Sequence, residues 1–327
     1  MKMAILGAGN IARVMARTWK EMEEVESYAV AARELSRAEA FALEYGFEKA
    51  YGSYLEMLED ELVELVYVAV PHSHHYECVK MCLEYGKHVL CEKAFMSNAP
   101  QAKEVIALAK ERNLLLAEAI WTRYMPSRRM VNEVIASGAI GTVNALSASL
   151  DYVLPHVERM QNPALSGGAL LDLGVYTINF ACMVFGNKIR KVTSAAILSE
   201  QGVDIQNSIT LEYEDGRMAM LHSNFMALSD RRGMIYGDKG FLEITNINNC
   251  EKITRYDLDY QIAEVIEVPE QITGFEYEVR ACMKAIRKGK VECDEMPHDE
   301  IIFVMEMMDQ LRKEWGVVYP CDLVKNS

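Results

Sequence analysis

Positive charge is scarce in this chain of 327 residues. Its 34 lysines and arginines face 48 aspartates and glutamates, which gives a formal net charge of −14. Proteins that bind nucleic acids or anionic membranes carry basic patches, so this balance argues against both partners. The acidic residues are spread along the chain without an acidic tail, as expected if they serve solubility.

Cysteine motifs and long apolar runs are scarce as well. The eight cysteines contain no C-x-x-C pair, so a disulfide framework is not expected. No apolar run approaches the roughly 20 residues that a membrane span needs. The first predicted strand begins at residue 2, which leaves no room for a signal peptide. We therefore expect a soluble cytoplasmic protein with a small-molecule partner.

The most informative stretch is Met3 to Ala12, where an apolar strand runs into Gly7-x-Gly9-x-x-Ala12 at a helix start. Gly7 allows a tight turn, Gly9 removes the side chain where a phosphate approaches, and Ala12 lets the helix pack closely on the strand. This geometry presents backbone N–H groups to a pyrophosphate. The motif predicts a dinucleotide site, because alternating strands and helices follow it.

Two hydrophobic rhythms divide the chain near residue 121. Before it, short apolar strands alternate with amphipathic helices, which predicts an α/β fold with a Rossmann-type doubly wound parallel sheet. After it, strand-like runs crowd together and Glu214-Asp215-Gly216 gives a hairpin signal. We predict a dinucleotide-binding domain over residues 1–121. An α+β domain with a largely antiparallel open sheet should follow over 122–327, for substrate binding and oligomerisation.

The end of the second predicted strand indicates which dinucleotide binds. NAD enzymes usually place an acid there for the ribose 2′-hydroxyl, whereas this chain has Arg33 and, four residues on, Arg37. Both guanidinium groups can face one 2′-phosphate, which favours NADP over NAD. The alternative is a pair of solvated arginines at a helix start that form ion pairs with Glu34 or Glu39.

Two further segments carry candidate proton-transfer groups. Cys91-Glu92-Lys93-Ala94 ends a predicted strand at the sheet edge where a nicotinamide would lie, and a lysine there lowers the pKa of a neighbouring phenol. Asp172 and Tyr176 are four residues apart on one face of the helix predicted over Ala169–Val184. The ordinary alternatives are a surface Lys–Glu pair and a core helix with one polar pair.

The cluster of His72, His74 and His75 suggests a metal site at first sight. However, the chain supplies neither an H-E-x-x-H motif nor a cysteine pair to complete one. A turn at a strand end followed by a helix start accounts for the cluster, so no metal is expected.

Taken in order, these segments resemble the glucose–fructose oxidoreductase / inositol dehydrogenase / MocA family. Within it they are most similar to the branch of dimeric dihydrodiol dehydrogenases and NADP-dependent D-xylose dehydrogenases. The resemblance covers nearly the whole chain. The motifs that carry it are Gly7-Ala8-Gly9-Asn10-Ile11-Ala12, Ala31-Ala32-Arg33…Ser36-Arg37, Ala50-Tyr51-Gly52-Ser53-Tyr54, Pro71-His72-Ser73-His74-His75, Cys91-Glu92-Lys93, Glu118-Ala119-Ile120-Trp121-Thr122-Arg123-Tyr124, Gly168-Ala169-Leu170-Leu171-Asp172-Leu173-Gly174-Val175-Tyr176 and Gly316-Val317-Val318-Tyr319-Pro320.

The resemblance implies roles for individual residues. Lys93 and Tyr176 would form the catalytic pair, with Asp172 as a supporting acid. Arg33 and Arg37 would take the 2′-phosphate of NADP. The full set of implied cofactor-binding residues is Gly7, Gly9, Asn10, Ile11, Ala12, Arg33, Arg37, Pro71, His75, Glu92, Trp121 and Arg123.

The chain departs from the family pattern at two positions. The wider family usually has histidine where Tyr176 stands, so the proton-transfer chemistry would be that of the branch. Ala94 replaces the proline of the usual Glu-Lys-Pro, which removes the tertiary amide that favours a cis peptide bond.

The resulting prediction is an oxidoreductase that moves a hydride between NADP and a carbinol of a sugar, polyol or cyclic trans-diol. Tyr124, Tyr152 and His156 are substrate-pocket candidates on position and polarity. Two other classes stay open: a non-catalytic nucleotide-binding sensor, and a cofactor-retaining isomerase, lyase or glycosidase that uses a transient oxidation. A homodimer or homotetramer through the C-terminal sheet is expected, because an open antiparallel sheet leaves one face to cover.

Overall fold

Six parallel strands form the central sheet of the first part of the computed structural model, which describes residues 1–323. Their order is β3-β2-β1-β4-β5-β6, so the direction of winding reverses between β1 and β4 and leaves a crevice at the strands' carboxyl ends. The strands are β1 Lys2–Leu6, β2 Glu26–Ala31, β3 Lys49–Tyr51, β4 Leu65–Val68, β5 His88–Glu92 and β6 Leu116–Ala119.

Five helices connect these strands, and each buries one apolar stripe. In α1 the buried residues Ala12, Met15, Ala16 and Trp19 recur at the spacing of one helix face. The connecting helices are α1 Asn10–Lys20, α2 Leu35–Tyr45, α3 Tyr54–Glu59, α4 His75–Glu84 and α5 Ala99–Arg112.

The chain divides into two compact units, one of residues 1–121 and 271–305, the other of residues 122–270 and 306 onward. Residues 271–305 lie within the range predicted for the second domain, 122–327. These residues join the first unit because α9, Glu276–Arg287, packs on β5, and because Nε2 of His298 lies 2.8 Å from the carbonyl oxygen of Leu116 in β6. Helix α10, His298–Trp315, begins in this segment.

Eight strands form the sheet of the second unit, in the order β14-β13-β12-β11-β7-β10-β9-β8. Among the strands of this sheet in residues 1–323, only β7 and β10 pair in parallel, so the predicted α/β fold with a second, largely antiparallel sheet is confirmed. The predicted hairpin joins β9 to β10, with Gly216 at a φ of 89°. The strands are β7 Val143–Asp151, β8 Ile189–Leu198, β9 Asp204–Tyr213, β10 Met218–Asn224, β11 Gly233–Gly237, β12 Gly240–Thr245, β13 Lys252–Tyr256 and β14 Ile262–Glu267.

The helix predicted over Ala169–Val184 is two structures in series. Leu170–Gly174 forms a π-helical segment, and α8 continues from Val175 to Phe185. The other helices of the unit are α6 Pro126–Ala136, α7 Glu158–Gln161 and α11 Pro320–Leu323.

The expectation that no apolar run reaches the length of a membrane span is wrong on length and composition. The helical run Pro163–Phe185 has 23 residues and a mean hydropathy of 1.6 in its most apolar window. However, 89% of that window is buried inside the protein, and a helix that is apolar on all sides is typical of a core.

Candidate functional site

The glycine turn after β1 has the shape that the sequence predicts. Gly7 has a φ of 108°, and a Cβ there would lie 2.4 Å from the carbonyl oxygen of Ala69, so only glycine fits. At Gly9, by contrast, no atom among the described residues lies within 4 Å of an added Cβ. The turn is therefore closed on the sheet side at Gly7 and open at Gly9.

The N-terminus of α1 faces this opening without a capping side chain. Gly9 is the N-cap residue and forms no side-chain cap hydrogen bond, so the first N–H groups of the helix remain available to an anion. Asn10 is exposed, Ile11 is half-buried, and Ala12 is completely buried against the sheet. These residues fit a dinucleotide pyrophosphate.

Arg33 and Arg37 lie exposed at the start of α2. Within residues 1–323 neither guanidinium forms an ion pair, so the alternative of pairing with Glu34 or Glu39 is not observed. Burial raises the pKa of the Tyr54 phenol, and the charges of both arginines oppose that rise, so both act on the same place. Positive charge at a helix N-terminus opposes the helix dipole, which indicates a role other than helix stability. Both side chains fit a 2′-phosphate.

His75 has contacts that differ from those of a residue flanking a cofactor. The side chain is completely buried, and its Nε2 lies 2.8 Å from the carbonyl oxygen of Val70. Its Nδ1 lies 3.0 Å from the carbonyl oxygen of Ala94 and 3.1 Å from that of Phe95. Both ring nitrogens thus face backbone oxygens, and His75 ties the end of β4 to the loop after β5.

Lys93 sits in that loop, half-buried, after the end of β5. Its carbonyl oxygen lies 3.1 Å from Nε2 of His72, and its N–H donates to Oε2 of Glu92 at 3.2 Å. The Lys93–Ala94 peptide is cis, although residue 94 is not proline. His72 therefore holds the Lys93 backbone, while Pro71 stays exposed at the turn. In the described part of the chain, no group of three or more metal-ligating side chains is arranged around a common point.

Glu92 in β5, Glu118 in β6 and Glu278 in α9 have buried carboxyl groups. Glu92 accepts a hydrogen bond from the Tyr67 hydroxyl, and Glu118 accepts one from the Phe95 N–H at 3.2 Å. Glu278 is completely buried, and neither of its oxygens has a hydrogen-bond partner within residues 1–323. Burial, together with the nearby charges of Glu92 and Glu118, raises the pKa of Glu278 well above its usual range. The surroundings therefore favour the neutral, protonated form of the Glu278 carboxyl group.

The variant Glu278→Gln should raise the free energy of unfolding more at pH 8 than at pH 5, since each unit by which the folded-state pKa is raised corresponds to about 1.4 kcal/mol. Since the folded-state pKa is raised, the native protein keeps a proton that the unfolded chain releases above about pH 4.3. The stability of the wild type therefore falls as pH increases from there toward the folded-state pKa. Urea unfolding at pH 5 and pH 8 measures the effect, with the exposed Glu111→Gln as the control. A difference from wild type that is equal at both pH values would contradict the assignment.

The segment after β6 holds three of the predicted site residues, Trp121, Arg123 and Tyr124. In the first unit, the ring of Trp121 stacks on that of Phe275, with centroids 4.2 Å apart and planes inclined by 17°. In the second unit, Arg123 is buried, and its Nε donates to Oδ1 of Asn179 in α8 at 2.7 Å. Tyr124 is also buried.

Asp172 and Tyr176 belong to the second unit, whereas Lys93 belongs to the first. Asp172 lies within the π-helical segment, and Tyr176 follows at the start of α8 with 8% of its surface exposed. π-Helical turns inside α-helices frequently mark functional sites. Arg159 in α7 donates to both oxygens of Asp172, at 2.8 and 3.2 Å. No local motif predicts this arginine, because only the folding of the loop after β7 brings it to Asp172.

The other substrate-pocket candidates have separate environments. The hydroxyl of Tyr152 lies 3.3 Å from Oδ1 of Asn248, and it accepts from Nη1 of Arg231 at 3.2 Å. His156 is exposed and lines an open cavity of about 350 Å³, of which Tyr152 is not a lining residue. The other lining residues of the cavity are Pro155, Glu158, Gln161, Asn162, Pro163 and Gln201.

Comparison with known families matches both parts of the chain. Residues 1–119 match an oxidoreductase family with an NAD-binding Rossmann fold, and residues 129–243 match the GFO/IDH/MocA C-terminal domain. Trans-1,2-dihydrobenzene-1,2-diol dehydrogenase from Xenopus tropicalis is 34% identical over 329 residues, covering 98% of this chain and 99% of the relative. The enzyme of that name from Homo sapiens is 34% identical over 305 residues, 91% of each chain.

Solved structures show the same architecture. A 3-ketoreductase from Actinomadura kijaniata, in complex with NADP and TDP-benzene, superimposes with a TM-score of 0.88 at 25% identity, over 96% of this chain and 97% of that chain. An aldose-aldose oxidoreductase from Caulobacter crescentus shares the fold, with a TM-score of 0.87 at 20% identity over 97% of both chains. Because the identity to the diol dehydrogenases extends over nearly the full length and both domains match, the chain belongs to the Gfo/Idh/MocA family of oxidoreductases.

Proposed function

We propose that the protein is an NADP-dependent dehydrogenase that oxidises a carbinol of a cyclic trans-diol, with sugars and polyols as further substrates. The observation that carries this proposal is the full-length identity to enzymes named trans-1,2-dihydrobenzene-1,2-diol dehydrogenase. The open glycine turn and the two arginines without ion pairs support a phosphorylated dinucleotide as the cofactor.

The first unit supplies the residues that would hold the cofactor. The turn at Gly7 and Gly9 and the N-terminus of α1 would hold the pyrophosphate, while Arg33 and Arg37 would hold the 2′-phosphate. The loop after β5 would border the nicotinamide, at the carboxyl end of the sheet. When bound, NADP supplies the hydride acceptor for oxidation of the carbinol.

Side chains of the protein would move the proton. Tyr176 takes the proton of the substrate hydroxyl, and the positive charge of Lys93 favours the phenolate form that accepts it. Asp172, held by its two hydrogen bonds from Arg159, is the proposed supporting acid of this pair. Tyr124, Tyr152 and His156 remain the proposed substrate contacts.

Turnover assays test the proposal. The purified protein is supplied with NADP, or with NAD, and with cyclic trans-diols, aldoses and inositols, while the absorbance of reduced nicotinamide is followed. We expect turnover of trans-diols with NADP and much less with NAD. If no substrate of the panel is turned over, although NADP binding is confirmed separately, the proposal is contradicted in favour of a sensor. Nucleotide that survives purification without net reduction would contradict it in favour of a cofactor-retaining enzyme.

We also propose that two copies of the chain associate through the open face of the second sheet. Met218 of β10, Ala145 of β7 and Tyr236 of β11 are register partners, so they form one row on the same face. Met218 and Tyr236 are exposed in the single chain, as is Met220 two residues along β10. Methionine and tyrosine are enriched at the core of interfaces.

The variant Met220→Glu should convert the dimer to a monomer, because it places a charge in the middle of an apolar interface. Sedimentation equilibrium measures the mass, and Leu43→Glu, at an exposed position of α2, is the control. A wild-type monomer, or a dimer that the substitution at Met220 leaves intact, would contradict this interface. A wild-type tetramer that Met220→Glu splits into dimers would show that a second interface exists.

We place the protein in the cytoplasm. In residues 1–323, which include all eight cysteines, no disulfide forms, and seven of the cysteines are buried. Cysteines kept in this state are typical of a reducing compartment.

A further inference from the structure

Three buried polar side chains form a continuous chain of hydrogen bonds from β9 to β10. Asp204 is completely buried, and its Oδ2 accepts from the N–H of Leu170 at 2.8 Å and from Nδ2 of Asn207 at 2.9 Å. Oδ1 of Asn207 in turn accepts from the hydroxyl of Ser223 at 3.0 Å. We call Asp204, Asn207 and Ser223 the polar chain.

The polar chain meets the π-helical segment at both ends. Leu170, the first residue of the segment, donates its N–H to Asp204. Gly174, the last residue, packs so closely that an added Cβ would lie 3.1 Å from Oγ of Ser223. The approach to the segment is equally tight, because a Cβ on Gly168, whose φ is 119°, would lie 2.3 Å from Oδ1 of Asp204.

Packing alone does not explain a carboxyl group at this position. Burial raises the pKa of Asp204 to about 7, against the opposing effects of its hydrogen bonds and of the Arg312 charge. Tyr319, also completely buried, is close enough for the Asp204 charge to raise the pKa of its phenol. Replacing a buried charge by a well-packed apolar residue often leaves a protein as stable or makes it more stable, so packing does not require a carboxyl group here.

We infer that Asp204 is a positioning residue. Through the polar chain it holds the π-helical segment in place, and that segment orients Asp172 and Tyr176. Asp172 lies two residues after Leu170 and therefore between the two anchored ends of the segment. Tyr176 lies two residues after Gly174 and therefore just beyond the second anchored end. A displacement of about 1 Å at a reacting group lowers a rate by roughly 100-fold. The inference rests on the proposed proton transfer by Tyr176.

Two substitutions of Asp204 and one control separate positioning from general destabilisation. We expect Asp204→Ala to lower kcat for diol oxidation by roughly 10- to 100-fold, with little change in the Kd of NADP. Asp204→Asn should recover most of that loss, because the amide oxygen can accept from the same two N–H donors. Leu242→Ala removes a fully buried side chain from β12 and should lower Tm without lowering kcat.

Hydrogen exchange of residues 168–176 gives a readout that needs no turnover. Exchange should be faster in Asp204→Ala than in wild type, and unchanged in Leu242→Ala and Tyr176→Phe. If Asp204→Ala does not fold, Ser223→Ala, which breaks the far end of the polar chain, should also lower kcat and speed exchange.

The outcomes distinguish this inference from the proposed function. An unchanged kcat in Asp204→Ala, beside an inactive Tyr176→Phe, overturns positioning and leaves the function standing. Equal losses in Asp204→Ala and Asp204→Asn also overturn it, since the hydrogen bonds would then not matter. A wild-type protein without turnover contradicts the proposed function. The positioning role of Asp204 is then tested by hydrogen exchange alone, and unaltered exchange in Asp204→Ala overturns it.

Discussion

The variant Tyr176→Phe is expected to lower kcat for diol oxidation by about 10²- to 10⁴-fold, the contribution of a well-placed general base. The Kd of NADP should hardly change, because the glycine turn and both arginines belong to the other compact unit. Steady-state kinetics and nucleotide titration measure the two quantities. Tyr213→Phe is a matched control, since it also removes a buried hydroxyl in the second unit, one without a hydrogen-bond partner in residues 1–323. An unchanged kcat in Tyr176→Phe would remove this residue from the reaction.

The proposed partnership of Tyr176 with Lys93 is tested by combining the substitutions. If the charge of Lys93 acts by favouring the phenolate, then Lys93→Met has little left to remove once the phenol is gone. The double variant should therefore be about as slow as the slower single variant. Losses that multiply would show two residues acting independently, and would contradict the pairing.

The second large effect is expected for cofactor choice. Arg33→Ala should weaken NADP binding by roughly 10- to 100-fold, because a hydrogen bond to a charged group contributes about 1.5–3 kcal/mol. NAD binding should hardly change, since NAD has no 2′-phosphate for the guanidinium to contact. Calorimetric titration with each nucleotide measures both constants.

Arg17→Ala, at an exposed position of α1 in the same unit, controls for the loss of a positive charge. It should leave the NADP-to-NAD preference intact. Equal losses of NADP and NAD affinity in Arg33→Ala would contradict the 2′-phosphate role. We expect Arg37→Ala to behave like Arg33→Ala, because the charges of both arginines reach the same tyrosine.

Local motifs explain why much of the first unit could be predicted from the sequence. The strand, the turn at Gly7 and the start of α1 occupy adjacent residues, and so do the end of β2 and Arg33. Two of the strands have a weak local signal in the sequence. β3, Lys49–Tyr51, has three half-buried residues, and β13, Lys252–Tyr256, has polar residues at three of its five positions.

The rest of the candidate site depends on contacts between distant parts of the chain. Arg159 and Asp172 are thirteen residues apart across a loop. Asp204, in β9, accepts a hydrogen bond from Leu170 in the π-helical segment. The three carbonyl contacts of His75 come from two separate loops. A π-helical turn inside a helix that is apolar on all sides leaves the pattern of apolar residues unchanged. The pattern over Ala169–Val184 therefore predicts one continuous helix.

The most direct test of the account follows the hydrogen that leaves the substrate. A cyclic trans-diol carrying deuterium on its carbinol carbons is incubated with the protein and NADP, and the nucleotide is analysed by mass spectrometry. The account predicts NADPH that carries deuterium, in proportion to the oxidised product, and the rate at which both form should fall by about 10²- to 10⁴-fold in Tyr176→Phe. Oxidised product without labelled NADPH, or no oxidised product from a protein that binds NADP, would contradict it.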